Sequence, residues 1–356
     1  MDNAVPDRNH VLVVCHGPGR GRQDRHAQHI MSRALAGNPR RGQIVLHETG
    51  TGSLPDLDAA TAVVFWLGDP LRELYPDCYA EAIAIASRAR ARGLRVINAP
   101  EALSNTRKSL QSALWRAAGL PSAAATPFAS RDELAALLAA ATTAYPVIVR
   151  TDLLHGQQAT FFCATRREAE AAAAHEHIAP GVILEFVDTR AGHAGTSPGS
   201  LWSRYFHKKR AFVFGDEVVP NHVYFSIHPM VGLKVCSFAR YLHGNWRWSW
   251  LAYLRPDERA ALAIDNAFWQ GPAEHPEVMR AAMRALGLDF AAIDYSILAD
   301  GQPFLWEANP YFDLPDANQG AMPRERHLQA RIDGFDRAIA RFLVSLLTPR
   351  AAPMAP

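Results

Sequence analysis

Short apolar runs separated by polar, glycine-bearing stretches dominate the first third of the chain. His10–Cys15 (HVLVVC), Ile44–His47 and Ala62–Trp66 (AVVFW) have the length and β-branched content of buried strands. Ala80–Arg92 carries Ile83 and Ile85 among alanines and meets Gly93, which predicts a helix with a glycine stop. Arg95–Ile97 returns as a strand. This alternation of strand, helix and strand predicts a small Rossmann-like α/β layer over residues 1–97.

Asn98-Ala-Pro100 reads as a boundary. A helix is predicted near Thr106–Ala118, with Leu110 and Leu114 on one face and Gly119 closing it. Tyr145–Arg150 (YPVIVR) and Ala159–Ala164 (ATFFCA) predict a strand pair around the loop TDLLHGQQ. Arg166–His175 predicts an alanine-rich helix and Gly181–Val187 (GVILEFV) a buried strand. The Gly, Ser and Thr content of Thr189–Ser200 marks a loop. Strands resume at Arg210–Phe214 and Val218–Phe225, joined by Gly215-Asp216. No internal repeat is visible, and residues 348–356 form a Pro/Ala tail.

The most informative pattern lies further on. Met279, Met283 and Leu286 form a helical stripe over Pro276–Gly287, with Gly287 as cap. Two strands follow, Ala291–Ala299 and Pro303–Ala308, around Asp300-Gly301, a strong two-residue hairpin signal. With that turn, Asp294 faces Glu307 and Ala292 faces Asn309, so Asp294, Glu307 and Asn309 share one face of the hairpin. Like charges directly opposed repel. A divalent cation would relieve that, and hard oxygens of this kind suit Mg²⁺ beside phosphates. A solvated acidic face, or salt bridges to an arginine elsewhere, would relieve it too. If repulsion governs, Glu307→Gln leaves the metal-free fold as stable as before or slightly more so.

Composition narrows the classes. The 356 residues are 49% hydrophobic and 20% charged, enough for two or three packed units. The net charge of +2 argues against a bulk nucleic-acid binder. Cys15, Cys78, Cys163 and Cys236 lie far apart, as free thiols in a reducing cytosol would. The first ten residues lack the apolar segment of a signal peptide, and no apolar run approaches the ~20 residues of a membrane helix. A soluble cytoplasmic protein is expected. Gly17-Pro-Gly19-Arg-Gly21 follows a strand but lacks phosphate-loop spacing, so it reads as a turn or a wall of a substrate cleft. His26 and His29 have no further ligand beside them. In Trp202–Arg210 (WSRYFHKKR) the lysines read as solvated and Arg210 as a site residue. Trp246, Trp248 and Trp250 alternate at strand spacing, as packing or as a stacking platform.

With its acidic residue, Asp294, and the E-x-N of Glu307-Ala308-Asn309, the sequence resembles the ATP-grasp superfamily, in particular carboxylate–amine ligases of the glutathione synthetase and ribosomal-protein glutamate ligase type. Earlier segments follow the family's order. Asn105-Thr-Arg-Lys108, opening a helix that ends in AGLP, resembles the segment of the first ATP lysine. YPVIVR resembles the strand with the second phosphate ligand, with Arg150 where lysine is usual. His155–Gln158, with the single glycine Gly156, resembles the loop covering the phosphates. ILEFV resembles the hinge strand that holds adenine, and RAFVFGDEVV from Arg210 the strand that follows.

The resemblance implies two ATP-grasp subdomains, 98–187 and 188–347, behind an N-terminal α/β domain. It implies ATP and Mg²⁺ (or Mn²⁺) as cofactors. Lys108, Arg150 and Gly156 would serve the phosphates, and Glu185, Phe186 and Val187 the adenine. Asp188 would reach the ribose, and Asp294, Glu307 and Asn309 the metal. Arg210 would stabilise the transferring phosphoryl group, and Asn221 and His222 would line the acceptor cleft. At the head of its helix, Lys108 would be compensated by an ATP phosphate. The implied partners are small-molecule or peptide carboxylates and amines, with no nucleic acid, no membrane, and homodimerisation left open. A kinase on the same fold and a non-catalytic nucleotide-binding module are the alternatives.

Overall fold

Every position of β1 (His10–Cys15) after His10 is buried, which requires cover on both faces of the strand. In the computed structural model, which describes residues 9–17, 26–140, 143–155, 157–192, 201–232, 235–237, 256–312 and 326–348, that cover is provided. Following β1 are α1 (His26–Ala34), β2 (Ile44–Glu48), β3 (Ala60–Trp66), the single turn α2 (Leu71–Leu74), α3 (Pro76–Ala91) and β4 (Arg95–Ile97). The four strands form a parallel sheet in the order β2-β1-β3-β4. Chain direction across the sheet reverses between β1 and β3. The loops leaving them, His16-Gly17 and Leu67-Gly68-Asp69, therefore flank a topological switch point, where α/β sheets take ligands.

The middle segment holds α4 (Lys108–Ala117), β5 (Ala125–Phe128), α5 (Arg131–Ala139), β6 (Val147–Thr151), β7 (Thr160–Cys163), α6 (Arg166–Ala173) and β8 (Gly181–Glu185). Its strands form an antiparallel sheet in the order β5-β8-β6-β7 over a core of Phe128, Leu134, Leu138, Val149 and Ile178. β5 and α5 were not expected from the sequence. Ser130 caps α5, and a reciprocal Thr165–Glu168 capping box starts α6. The face of α4 differs from expectation. Leu110 and Leu114 are only half-buried, and the buried side is Lys108, Ser109, Gln111, Ser112 and Trp115. The helix turns polar groups inward because that side borders the site.

The last segment comprises β9 (Phe206–Phe214), β10 (Glu217–Ser226), α7 (Pro256–Gln270), α8 (Pro276–Leu286), β11 (Phe290–Ile297), β12 (Pro303–Asn309) and α9 (Arg326–Ser345). Its sheet has the order β10-β9-β11-β12 and is antiparallel throughout. One face (Val213, Ile293, Tyr295) shares a core with Val63 and Phe65 of β3 and with Met279 and Met283 of α8. The other (Phe212, Phe214, Phe290) shares one with Val11, Val13 and Trp66 and with Phe335 and Ile339 of α9. The first and last sheets thus share both cores. On β10, an edge strand, Val223 N donates to Asp265 of α7 (2.8 Å), and Asp265 also binds Arg331 of α9 (2.5 Å).

The β11–β12 register brings Asp294 opposite Glu307 and Ala292 opposite Asn309, as expected, but by another route. The strands end at Ile297 and Pro303, so the connection is longer than two residues, and Tyr295 pairs with Leu305. A bulge at Trp306 then absorbs one residue and restores the pairing. Gly19 and Gly21 of the glycine-rich turn, Gly156, residues 193–200, the tryptophans at 246, 248 and 250, and the tail from 349 lie outside the described residues. Among the described residues no helix is long and apolar enough to cross a membrane.

Candidate active site

Register across the last sheet aligns four polar residues on one face. His222 on β10 pairs with Arg210 on β9, Arg210 with Asp294 on β11, and Asp294 with Glu307 on β12. Arg210 grips Asp294 with two bonds, Nε to Oδ1 at 2.6 Å and Nη2 to Oδ2 at 3.0 Å, and Lys208 Nζ reaches Oδ2 at 2.8 Å. Burial alone would raise the Asp294 pKa. The Arg210 and Lys208 charges outweigh it and hold the carboxyl well below the usual carboxylate range. Asp294 in turn raises the Arg210 pKa against the effect of burial.

Glu307 is matched in the same way. Lys108 Nζ lies 2.9 Å from Oε1, the Arg150 guanidinium 3.4 Å from Oε2, and His155 Nδ1 3.2 Å from Oε1. Burial opposes its charge, but Lys108 and Arg150 hold the carboxyl well below the usual range. Of the alternatives left by the sequence, salt bridges hold in this structure. The expectation that Glu307→Gln is harmless to the metal-free fold is therefore overturned, because cations and not mutual repulsion govern both carboxylates.

Other expectations shift as well. Lys108 is only 2% exposed and paired, and the amides at the head of α4 are met by Asp152, which accepts from Ser109 N (2.7 Å) and Oγ (2.8 Å). The helix end is compensated from within the chain. Neither lysine of the HKKR run is solvated: Lys208 binds Asp294, and Lys209 is buried on the opposite face against Glu274 (2.6 Å). β9 begins at Phe206, so Lys208 and Arg210 share a face.

His155 joins all three segments. Nε2 donates to the backbone carbonyl of Asp69 (2.6 Å) and lies 3.4 Å from Asp69 Oδ2, while Nδ1 faces Glu307. Burial and Lys108 oppose its charge, but Asp69 and Glu307 prevail and lift the imidazole to about 9. The chain after His155 is anchored again where Gln157 Nε2 donates to Val231 O (3.0 Å). Around these groups five cations (Lys108, Arg150, His155, Lys208, Arg210) meet three carboxylates (Asp69, Asp294, Glu307), an excess of two positive charges. Sequence reasoning missed Asp69, Asp152 and Lys208.

Asn221 and His222 are buried on β10. His222 stacks on Tyr224 (centroids 3.9 Å apart), and burial, then Arg210, hold it neutral. Beside the polar row, Ile148, Leu184 and Phe304 form an apolar cluster between the middle sheet and the hairpin, with Phe186, Val187 and Trp306 packed against it. Glu185 is exposed at its rim, and Asp188 pairs with Arg190 (2.5 Å).

A hard cation fits Asp294, Glu307 and Asn309. The Asn309 carboxamide oxygen is buried and makes no hydrogen bond, although such oxygens normally find a partner. Among the described residues no group of three or more His, Cys, Asp or Glu side chains gathers to hold a metal, so the set is two carboxylates and an amide.

No protein-family model and no curated protein matches this sequence. Solved structures do match. The ATP-grasp ligase PsnB complexed with minimal precursor is 16% identical, over 95% of this chain and 100% of that one, with a TM-score of 0.51. PsnB complexed with precursor peptide PsnA2 and AMPPNP is 15% identical over 98% and 99%, with a TM-score of 0.50. The D-cycloserine synthetase DcsG is 17% identical over 94% and 99%, with a TM-score of 0.51. At these identities the likeness shows the fold, and the fold is ATP-grasp.

Proposed function

We propose that this chain, having the ATP-grasp fold, is an ATP-dependent carboxylate–amine ligase. The observation that carries this reading is the charge balance of the cleft. Two opposed carboxylates are ringed by cations from the middle and last segments, leaving an excess of positive charge suited to a polyphosphate. Each ion pair can be exchanged. Lys108, Arg150, Lys208 and Arg210 would turn from carboxylate to phosphate oxygens, and the freed oxygens of Asp294 and Glu307, with Asn309, would hold Mg²⁺. When bound, Mg²⁺ supplies neutralisation of phosphate charge.

In this reading Lys108 and Arg150 bind the phosphates, and Gly156 belongs to the loop that covers them. The adenine lies against the apolar cluster at Phe186 and Val187, Glu185 accepts from its amino group, and Asp188 reaches the ribose. Arg210 faces the transferring phosphoryl group, where charge stabilisation speeds phosphate transfer. The substrate carboxylate attacks the γ-phosphorus, the bond from that phosphorus to the β,γ-bridging oxygen breaks, and an acyl phosphate and ADP form. The neutral amine then attacks the acyl carbon, phosphate leaves with the C–O bond electrons, and loss of one N–H proton gives the amide. Asn221 and His222 line the acceptor side. The substrates are a small-molecule or peptide carboxylate and an amine, as the peptide-bound and cycloserine-forming neighbours suggest.

The test has two stages. Mg²⁺ with AMPPNP should raise the melting temperature, since a ligand of the folded state stabilises it by mass action, by about 2.7 kcal/mol at a hundredfold excess over Kd. No shift at millimolar concentrations in the folded protein sinks the reading. ADP release is then screened over metabolite and peptide pools, and mass spectrometry identifies the product. An amide supports the ligase, whereas a stable phospho-compound assigns a kinase.

A further inference from the structure

We propose that Asp69 forms a subsite for the primary ammonium group of a substrate, in the place now taken by the His155 imidazole. The inference rests on the ligase reading for its reaction and on separate observations for its site.

Asp69 leaves β3 at the switch point of the first sheet, where open α/β sheets bind ligands. It is 3% exposed. Its Oδ1 accepts one long bond from Tyr311 N (3.4 Å), and Oδ2 makes no hydrogen bond. A buried carboxylate this poorly served is costly to maintain. Among the described residues its charged neighbour is His155, whose Nε2 is 3.4 Å from Oδ2 but spends its hydrogen on the Asp69 carbonyl at 2.6 Å.

The same ring touches Glu307 through Nδ1, so Asp69 sits one imidazole away from the proposed metal and phosphate groups. When Glu307 turns to a metal, His155 loses its partner on that side and Asp69 remains as an anion facing the reaction centre. A primary ammonium suits the position the imidazole occupies. It is compact, and its three hydrogens can meet Oδ2, the free lone pair of Oδ1 and the carbonyl oxygen of Asp69. A guanidinium would need both carboxylate oxygens along one edge, and Oδ1 is already approached by Tyr311 N. Tyr311, whose N–H meets Oδ1, packs with Tyr75 around His16 in the same corner.

The experiment uses the full chain with ¹⁵N-labelled histidine, the His155 ring signals being assigned through His155→Gln. Ethylammonium chloride is the probe, with tetramethylammonium chloride as a cation lacking N–H groups. Ethylammonium should move the His155 signals saturably, and tetramethylammonium should not. Asp69→Asn, checked for folding by circular dichroism, should weaken the ethylammonium response by about tenfold or more. An equal response to both cations, an undiminished response in Asp69→Asn, or no saturable response in the wild type overturns the subsite. Should Asp69→Asn fail to fold, the comparison of the two cations decides alone. Mg²⁺ with AMPPNP is titrated in parallel on the wild type. Its failure to bind defeats the ligase reading, while the ethylammonium result still reports on Asp69.

Discussion

Replacing Glu307 by glutamine removes one negative charge and little volume from the point where three cations meet. The largest consequence falls on Lys108, which is 2% exposed and whose ammonium lies 2.9 Å from Glu307. Without that partner its remaining acceptor is the Thr106 carbonyl at 3.4 Å, and the His155 imidazolium, also 3.4 Å away, repels it. Removing one member of a buried pair costs about 3–5 kcal/mol. The Glu307 side chain is 14% exposed, and the amide oxygen of glutamine can still accept one bond, so the lower end applies, about 3 kcal/mol. Urea unfolding without metal should show this as a lower midpoint at unchanged slope. In the same variant ADP release should lose most of its response to Mg²⁺. A midpoint equal to or above wild type refutes the ion-pair reasoning, because repulsion from Asp294 would then govern the site. A lower midpoint with an unchanged Mg²⁺ response refutes the metal role of Glu307.

Lys108→Ala should chiefly weaken nucleotide affinity, whereas Arg210→Ala should chiefly lower turnover; a purely affinity effect of Arg210→Ala would show the roles to be misassigned. Asp265→Ala strands the buried Arg331 and frees Val223 N, so it should cost about 3–5 kcal/mol in urea unfolding while Mg²⁺·AMPPNP still binds. Burial, then Glu48, push the Cys15 thiol up to about 12, and burial, then Glu168, push Cys163 up to about 11. Both thiols stay protonated in the fold while the unfolded chain ionises near pH ~8.5. Their contribution is therefore whole below that pH and is lost as pH rises through the folded values, at about 1.4 kcal/mol per pH unit for each thiol. Cys15→Ala should flatten the alkaline fall of the urea midpoint, and an unchanged slope would count against it.

What the sequence made legible follows the reach of its signals. β1, β3 and β11 are runs of buried residues between turn residues, and the core face of α8 was readable from Met279, Met283 and Leu286. The opposition of Asp294 and Glu307 was predicted correctly for an incomplete reason, since the longer connection and the Trp306 bulge cancel in register. Binary patterning failed where a helix borders the site, because α4 buries Lys108, Ser109, Gln111 and Ser112 and leaves its leucines half-exposed. It failed again at Lys208, whose place on a strand is disguised as a basic run. The alternation of Phe206, Lys208 and Arg210 with His207 and Lys209 was the available sign. Asp69 carried none: its role depends on His155, 86 positions away, and no local pattern encodes such a meeting. β5 and α5 were missed because alanine supplies little contrast between buried and exposed faces.

Glu307 and Asn309 stand on the same strand but under different structural constraint. Glu307 anchors Lys108, Arg150 and His155, so a descendant that had abandoned ATP would still be held to it by folding alone. Asn309 keeps a carboxamide oxygen buried and unbonded, which nothing in the ligand-free fold rewards. In a lineage drifting away from catalysis, the asparagine would be lost first and the glutamate last. Under the proposed function, the residue at 309, more than the acidic pair, would separate descendants that still hold the metal from those that do not.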